Sequence, residues 1–285
     1  MVEYTRQYGL SDEQLASYET VYRPDLLKGE VALVSGAATG IGRGIATLFA
    51  RLGADVMICG RNAERLVEAA GFLSQFGTRV VAQPANIREP ESVETLIART
   101  FDEFGRLDHL INNAGGQFAA NAVDISTKGW QAVVDTNLNG TWYMTQAAAR
   151  RWIDSGASGS IITITALIER GINQMAHTIA SRAGAIYLAR TLALEWAPYN
   201  IRVNTVAPGV VASSGFNNYR EDHLAHFFTA GPMRRPGNVM DIAEACVYLG
   251  APSGNYITGQ TLIVAGGHDI HGDLWPAGIP DHFKT

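Results

Sequence analysis

The chain has 285 residues, 47% hydrophobic and 17% charged, with 22 Lys and Arg against 27 Asp and Glu for a formal net charge of −5. That composition excludes a disordered chain; with no apolar run of spanning length and no basic block, neither a membrane nor nucleic acid is an expected partner. Cys59 and Cys246 lie in apolar stretches with no Cys or His at metal-ligand spacing, so no disulfide framework or metal site is expected, and a reducing, cytoplasmic setting fits.

Residues 1–28 read as a polar and aromatic extension, carrying charges where a signal peptide needs an apolar core. From Val31 onward, short β-branched runs alternate with amphipathic segments of helical length, the pattern of a parallel sheet wrapped by helices. Strands are expected at 31–35, 54–59, 79–83, 107–112, 159–165, 202–206 and 261–264, each a compact apolar run suited to burial on both faces. Between them, apolar residues recur at three- and four-residue spacing and predict helices over 41–52, 63–76, 90–104, 127–153, 176–197 and 239–249. The expected fold class is α/β, a single Rossmann-type, doubly wound, parallel seven-stranded sheet with helices on both faces, spanning 29–267. Within it, 212–235 breaks the rhythm with Gly215, Asn217, Asn218 and Gly231 among Phe216, Tyr219, Phe227 and Phe228, and reads as a lid insertion. Residues 268–285, with Trp275, Pro276 and Pro280, read as an extended C-terminal tail whose His282-Phe-Lys-Thr285 end is no peroxisomal tripeptide.

Directly after the first expected strand comes Ser35-Gly36-Ala37-Ala38-Thr39-Gly40-Ile41-Gly42, with a helix starting inside it. Glycines there permit a tight turn, close approach of backbone to a diphosphate, and close packing of helix on strand. The helix N-terminus then offers free N–H groups and a partial positive charge to the phosphates. The second strand ends Ile58-Cys59-Gly60-Arg61, where an NAD enzyme needs a carboxylate for the ribose 2′-hydroxyl. Arg61 instead offers a guanidinium suited to a 2′-phosphate, so NADPH is the expected cofactor.

This Gly-x-x-x-Gly-x-Gly spacing, Asn112-Asn113-Ala114-Gly115 after the fourth strand, and Ala207-Pro208-Gly209 after the sixth together resemble the short-chain dehydrogenases/reductases over 28–267. The resemblance implies that Asn113 and Gly115, with Ala114 between them, line the adenine ribose. It likewise implies that Pro208, Gly209, Val211 and Ser213 face the nicotinamide, and that Asn86 takes the adenine-contacting place.

Most members of that family carry a Tyr-x-x-x-Lys pair on the fifth helix; here the register places Thr178 and Arg182 at those positions. The usual catalytic serine is replaced by Ala166, leaving Thr165 as the nearest hydroxyl. Arginine holds its proton above a pKa of about 12, so Arg182 can hold the nicotinamide ribose but cannot relay a proton, and threonine is a much weaker acid than tyrosine. Ketone reduction is therefore disfavoured. A double bond conjugated to a thioester asks less, because hydride adds to the β-carbon and the charge that develops on the thioester oxygen needs only hydrogen-bond donors.

Asn112-Asn-Ala-Gly-Gly-Gln-Phe118, Lys128-Gly-Trp130, Thr136-Asn-Leu138, Arg182-Ala-Gly184, Leu194-Glu-Trp196 and Trp275-Pro276 resemble the peroxisomal-type trans-2-enoyl-CoA and 2,4-dienoyl-CoA reductase branch. The expected catalytic set is Asn137, Thr165, Thr178 and Arg182. Asn137 falls at the branch's helix-four asparagine, whose side chain and local kink hold a water in the proton path. His177, Tyr143 and Tyr187 are further possible donors for which packing is the default. The expected activity is NADPH-dependent reduction of the 2,3-double bond of a linear or cyclic enoyl-CoA, by a homodimer or homotetramer. A carbonyl reductase with a relocated proton donor and an inactive NADP-binding protein are the alternatives.

Overall fold

Strand β1 (Val31–Ser35) is buried at all five positions, as expected of a strand covered on both faces. It lies at the middle of a parallel sheet with β2 (Asp55–Gly60), β3 (Val80–Pro84), β4 (His109–Asn112), β5 (Gly159–Ile164) and β6 (Ile201–Pro208). Two-residue strands β7 (Val211–Ala212) and β8 (Gly237–Asn238) pair beside it, and β9 (Thr261–Val264) completes it. The structure is a computed structural model and describes residues 8–218, 231–272, 276 and 280.

The seven strands are ordered β3-β2-β1-β4-β5-β6-β9, so the order reverses between β1 and β4. Ligands of open α/β sheets bind at such a switch point, outside the carboxyl ends of the strands. All seven expected strands form, two with the expected bounds and five with ends shifted by one or two residues.

Helices α2 (Gly40–Arg51) and α3 (Ala63–Ser74) cover one face together with the late helix Val239–Gly250, and α4 (Pro90–Phe104), Gly140–Ser155 and Ala176–Trp196 cover the other. Each face encloses its own apolar cluster, one around Phe49, Ile58 and Met240, the other around Leu96, Met144 and Trp152. Trp152 is fully buried, donates its indole N–H to Leu107 O at 2.7 Å, and overlies Gly159, where a Cβ has no room. Local chemistry sets the helix starts: the Asn62 side chain accepts Arg65 N–H, and Asn238 and Asp241 form a capping box.

Two features depart from the expected pattern. The single helix expected over 127–153 is α5 (Thr127–Val134), a π-helical turn Asp135–Asn139, and α6 (Gly140–Ser155). Periodicity alone does not show the break, because one added residue in a π turn leaves the apolar spacing on either side intact. The extension contains a short helix, α1 (Asp12–Ser17), opened by a Ser11–Gln14 capping box and anchored by the buried Leu15. The chain then continues through α7 (Ala176–Trp196) and α8 (Val239–Gly250). Of the expected lid, Ser214–Asn218 is a 3-10 turn, while 219–230 lie outside the described residues.

Candidate active site

The carboxyl edge of the sheet at the switch point begins with Ser35. Its buried hydroxyl donates to Ile111 O at 3.3 Å and accepts the N–H groups of Asn113 and Ala114 at 3.0 Å each, tying β1 to the segment after β4. Asn113 returns the connection through its amide, which donates to Ser35 O at 2.9 Å and Gly36 O at 3.2 Å. Ser35 and Asn113 therefore brace the glycine turn through their side chains and can line a ligand site with their backbone. Gly36 takes φ +66°, and a Cβ at Gly42 would overlap the Gly36 carbonyl, so only glycine lets the turn fold back over the start of α2. Ala38 and Thr39 lead into Gly40 and Ile41 at the first turn of α2, where the Thr39 side chain does not cap the helix. The first N–H groups of α2 thus face the open edge.

At the next strand end Arg61 is exposed and, among the described residues, makes no hydrogen bond or ion pair. Asn86, beyond β3, spends its amide on Glu89 at 2.6 Å and accepts Arg88 N–H at 3.3 Å, shaping the entry to α4. On the opposite side, Pro208 ends β6, Gly209 packs against Ala265 so closely that a Cβ does not fit, and Val211 begins the β7 pairing. Ser213 then lies near Gly40, bringing the segment after β6 back to the glycine turn.

The second cluster surrounds Arg182. Its guanidinium reaches from α7 to the end of β5, where Nη1 donates to Ile164 O at 2.8 Å, and Nη2 rests on the Gly115 α-carbon, leaving no space for a Cβ. Burial lowers its pKa from the usual guanidinium range to about 10, so it stays cationic at neutral pH. Among the described residues no carboxylate pairs with it.

Asn137, wholly buried in the π turn, grips Gly116 from both sides: Oδ1 accepts Gly116 N–H and Nδ2 donates to Gly116 O, each at 3.0 Å. A longer contact of 3.4 Å reaches Ser181, and Asn137 O accepts the Thr141 hydroxyl at 3.0 Å. A π-helical turn stands where a local kink is expected, and the Asn137 side chain, expected to help hold a water, bonds the backbone that follows β4.

The two threonines differ. Thr165 donates its hydroxyl to Val206 O at 3.1 Å, and its N–H bonds the same oxygen, extending β5 along β6. Thr178 is held by a side chain instead: its N–H donates to Nδ1 of His177 at 2.8 Å, and its Oγ1 hydrogen-bonds the same nitrogen at 3.2 Å. His177 is buried with Nε2 unpartnered and sits edge-on to Phe118. Burial lowers its pKa, only partly offset by a hydrogen bond to the Met175 backbone, so the ring is neutral at pH 7. In the sequence His177 is a possible donor with packing as its default; its place next to Thr178 is the signal in the sequence that could have joined it to the site. Beside the start of α7, Ala122, Ile125, Thr127, Trp130 and Ala176 line a largely apolar cleft.

A glycine turn leading into a helix N-terminus at the switch point, a guanidinium unpaired among the described residues at the next strand end and a buried cation across the edge are the elements of a Rossmann-type dinucleotide site. The residues fit such a group, since any Cβ at Gly36 or Gly42 would crowd the turn's own backbone and Asn113. The family model described as Enoyl-(Acyl carrier protein) reductase matches residues 36–269, and the chain belongs to the short-chain dehydrogenases/reductases, oxidoreductases that use a nicotinamide cofactor.

A peroxisomal 2,4-dienoyl-CoA reductase [(3E)-enoyl-CoA-producing] of Danio rerio is 36% identical over 265 residues, 90% of this chain and 87% of that one. The 2-dehydro-3-deoxy-D-gluconate 5-dehydrogenase of Escherichia coli (strain K12) is 34% identical, covering 85% of this chain and 96% of its own. Among solved structures, a citronellol catabolism dehydrogenase of Pseudomonas aeruginosa PAO1 superposes with a TM-score of 0.79 at 34% identity, covering 88% of this chain and all of that one.

Proposed function

We propose that this enzyme uses NADPH to reduce the 2,3-double bond of an enoyl-CoA thioester. The observation that carries the reading is the buried, cationic Arg182 beside Thr178, at the positions where most of the family has a proton-relaying lysine and tyrosine. When bound, the dinucleotide supplies a hydride. The chain's part is then to hold the thioester oxygen as it becomes an enolate: Thr178 donates its hydroxyl proton to that oxygen as a hydrogen bond, and Arg182 holds the ribose and adds positive charge nearby. Thr178 suits this better than Thr165: its hydroxyl bonds the His177 side chain and is released by rotation about its Cα–Cβ bond, whereas Thr165 is tied through both hydroxyl and N–H to the main chain of β6 at Val206 O. The α-carbon takes its proton from water or a weak donor near Asn137, so one hydride and one proton saturate one double bond.

The name of the Danio rerio relative describes the same demand one vinyl group further along, since converting a 2,4-dienoyl to a 3-enoyl thioester adds hydrogen at carbons 2 and 5. In the cofactor site, Ser35, Gly36, Ala38, Thr39, Gly40, Ile41 and Gly42 cradle the diphosphate and Arg61 takes the 2′-phosphate. Asn86, Asn113, Ala114 and Gly115 line the adenosine, and Pro208, Gly209, Val211 and Ser213 face the nicotinamide. The acyl group occupies the apolar cleft at Trp130 and Ala176. Two buried, unpaired cysteines accord with a reducing cytoplasm, and the exposed side of α7 accords with a homodimer or homotetramer.

The test is NADPH consumption with 2-enoyl-CoA, 2,4-dienoyl-CoA and ketone substrates. Turnover of an enoyl- or dienoyl-CoA with ketones inert is the expected result. Turnover of ketones alone overturns the proposal in favour of a carbonyl reductase, and no turnover with tight NADPH binding favours an inactive binding protein.

A further inference from the structure

We infer that residues 8–18 form a strap that positions the cofactor cradle, with Asp12 as a positioning residue. The strap crosses the outside of α2, the helix that starts in the glycine turn, and is held there by two arginines. Arg43, one residue past Gly42, donates Nη2 to Asp12 Oδ2 at 2.7 Å and Nη1 to Ala38 O at 3.3 Å, with its guanidinium over the Phe72 ring. One side chain thus ties the strap directly to the glycine turn. Arg51, at the far end of α2, donates to Leu15 O at 3.1 Å and Tyr18 O at 2.7 Å, while Leu15 is buried in the core.

From this anchorage the strap reaches the segment that returns to the cradle after β6. Gly9, at φ +101°, lies so that a Cβ would meet Ser213 and Ser214 backbone at 3.4–3.5 Å, and Tyr8 packs edge-on to Phe216 with centroids 5.9 Å apart. Ser213 and Ser214 in turn stand on Gly40: a Cβ there would lie 3.5 Å from Ser214 Oγ. The order of layers is strap, Ser213–Ser214, glycine turn. On its other flank the strap meets the start of α8, where Asn238 donates to Tyr18 Oη at 3.5 Å.

The two walls of the cradle, the glycine turn and the segment after β6, have no covalent link to each other near the site. The strap touches both, so loosening it lets them separate and speeds cofactor departure. The inference rests on the glycine turn being the cofactor site and is independent of the acyl substrate.

The experiment measures NADPH dissociation by stopped-flow displacement in the full chain carrying Asp12→Asn, Asp12→Glu, Tyr8→Ala or Asp25→Asn. Asp25, exposed to solvent, pairs among the described residues with Arg23 alone, in the same extension, and serves as the control. Asp12→Asn and Tyr8→Ala should each speed dissociation by about fivefold, Asp12→Glu should recover most of the loss, and Asp25→Asn should match wild type. Melting of each free protein identifies any variant that fails to fold, and Tyr8→Ala, which leaves the Asp12–Arg43 bond in place, carries the test should Asp12→Asn unfold. Unchanged dissociation in the folded variants of a wild type that binds NADPH overturns the strap alone. A wild type that binds neither NADPH nor NADH overturns the cradle reading, and the strap with it.

Discussion

Arg182 is charged, nearly out of water and without a carboxylate among the described residues, an arrangement that works against folding. Its folded pKa of about 10 lies below that of the open chain, so the penalty is fully present at neutral pH and fades only as pH rises above about 10. A shift of that size is worth about 3 kcal/mol, and the bond to Ile164 O returns part of it. Arg182→Met should therefore raise the melting temperature of the free protein by about 2–4 °C while lowering turnover by about two orders of magnitude. A lower melting temperature with turnover intact contradicts a functional reason for the charge.

Arg61 shows the opposite arrangement, an exposed guanidinium with no partner among the described residues. Arg61→Ala should weaken NADPH binding by about one to two orders of magnitude and leave NADH unchanged, measured by titration of both. Equal loss for the two dinucleotides contradicts 2′-phosphate recognition. Arg61 and the glycines were legible in the sequence because their chemistry is local. The divergent hydrogen-bonding of Thr165 and Thr178 was not, because it depends on a carbonyl of β6 and a ring on α7 that folding alone brings near.

Among the elements, the π turn Asp135–Asn139 shows what helical patterning conceals. The strands were readable because a strand buried on both faces must be an apolar run, and α3 and α8 because Asn62 and Asn238 announce their starts. The turn's Thr136-Asn137-Leu138-Asn139 fits a regular helix equally well, and only the family resemblance pointed to a kink. The element's role is to deliver the Asn137 amide to Gly116, next to the glycine on which Arg182 rests. Asn137→Leu keeps the volume and removes both bonds, at a cost of about 1–2 kcal/mol because Gly116 is exposed to water. Hydrogen exchange at the Gly116 amide should speed by about tenfold, with turnover falling in step; unchanged exchange contradicts this bracing. Helix α1 escaped sequence reading for another reason: its six residues carry one buried apolar side chain, and its stability comes from Arg43 and Arg51 of α2.

For the whole molecule, the outward face of α7 is the conspicuous surface. Tyr187 is 63% and Leu194 82% exposed, seven residues apart and so on one side of the helix, with Arg190 stacked over the Tyr187 ring between them. A homodimer or homotetramer formed through this face buries them. Light scattering coupled to gel filtration should give at least twice the 30.7 kDa chain mass, and Leu194→Asp should reduce it. A monodisperse wild-type monomer at micromolar concentration contradicts the assignment.

The sheet, its switch point and the family follow from the whole chain, whereas the proposed delivery of hydride to a conjugated carbon rests on Thr178 and Arg182, so the reaction itself is the sharpest test. NADPH carrying deuterium at the transferred position should be incubated with the protein and an enoyl-CoA, and in parallel with a ketone, and the label located in each product by NMR. Deuterium on the β-carbon of a saturated acyl-CoA is the predicted result; deuterium on a carbinol carbon, with the enoyl thioester untouched, would contradict the account.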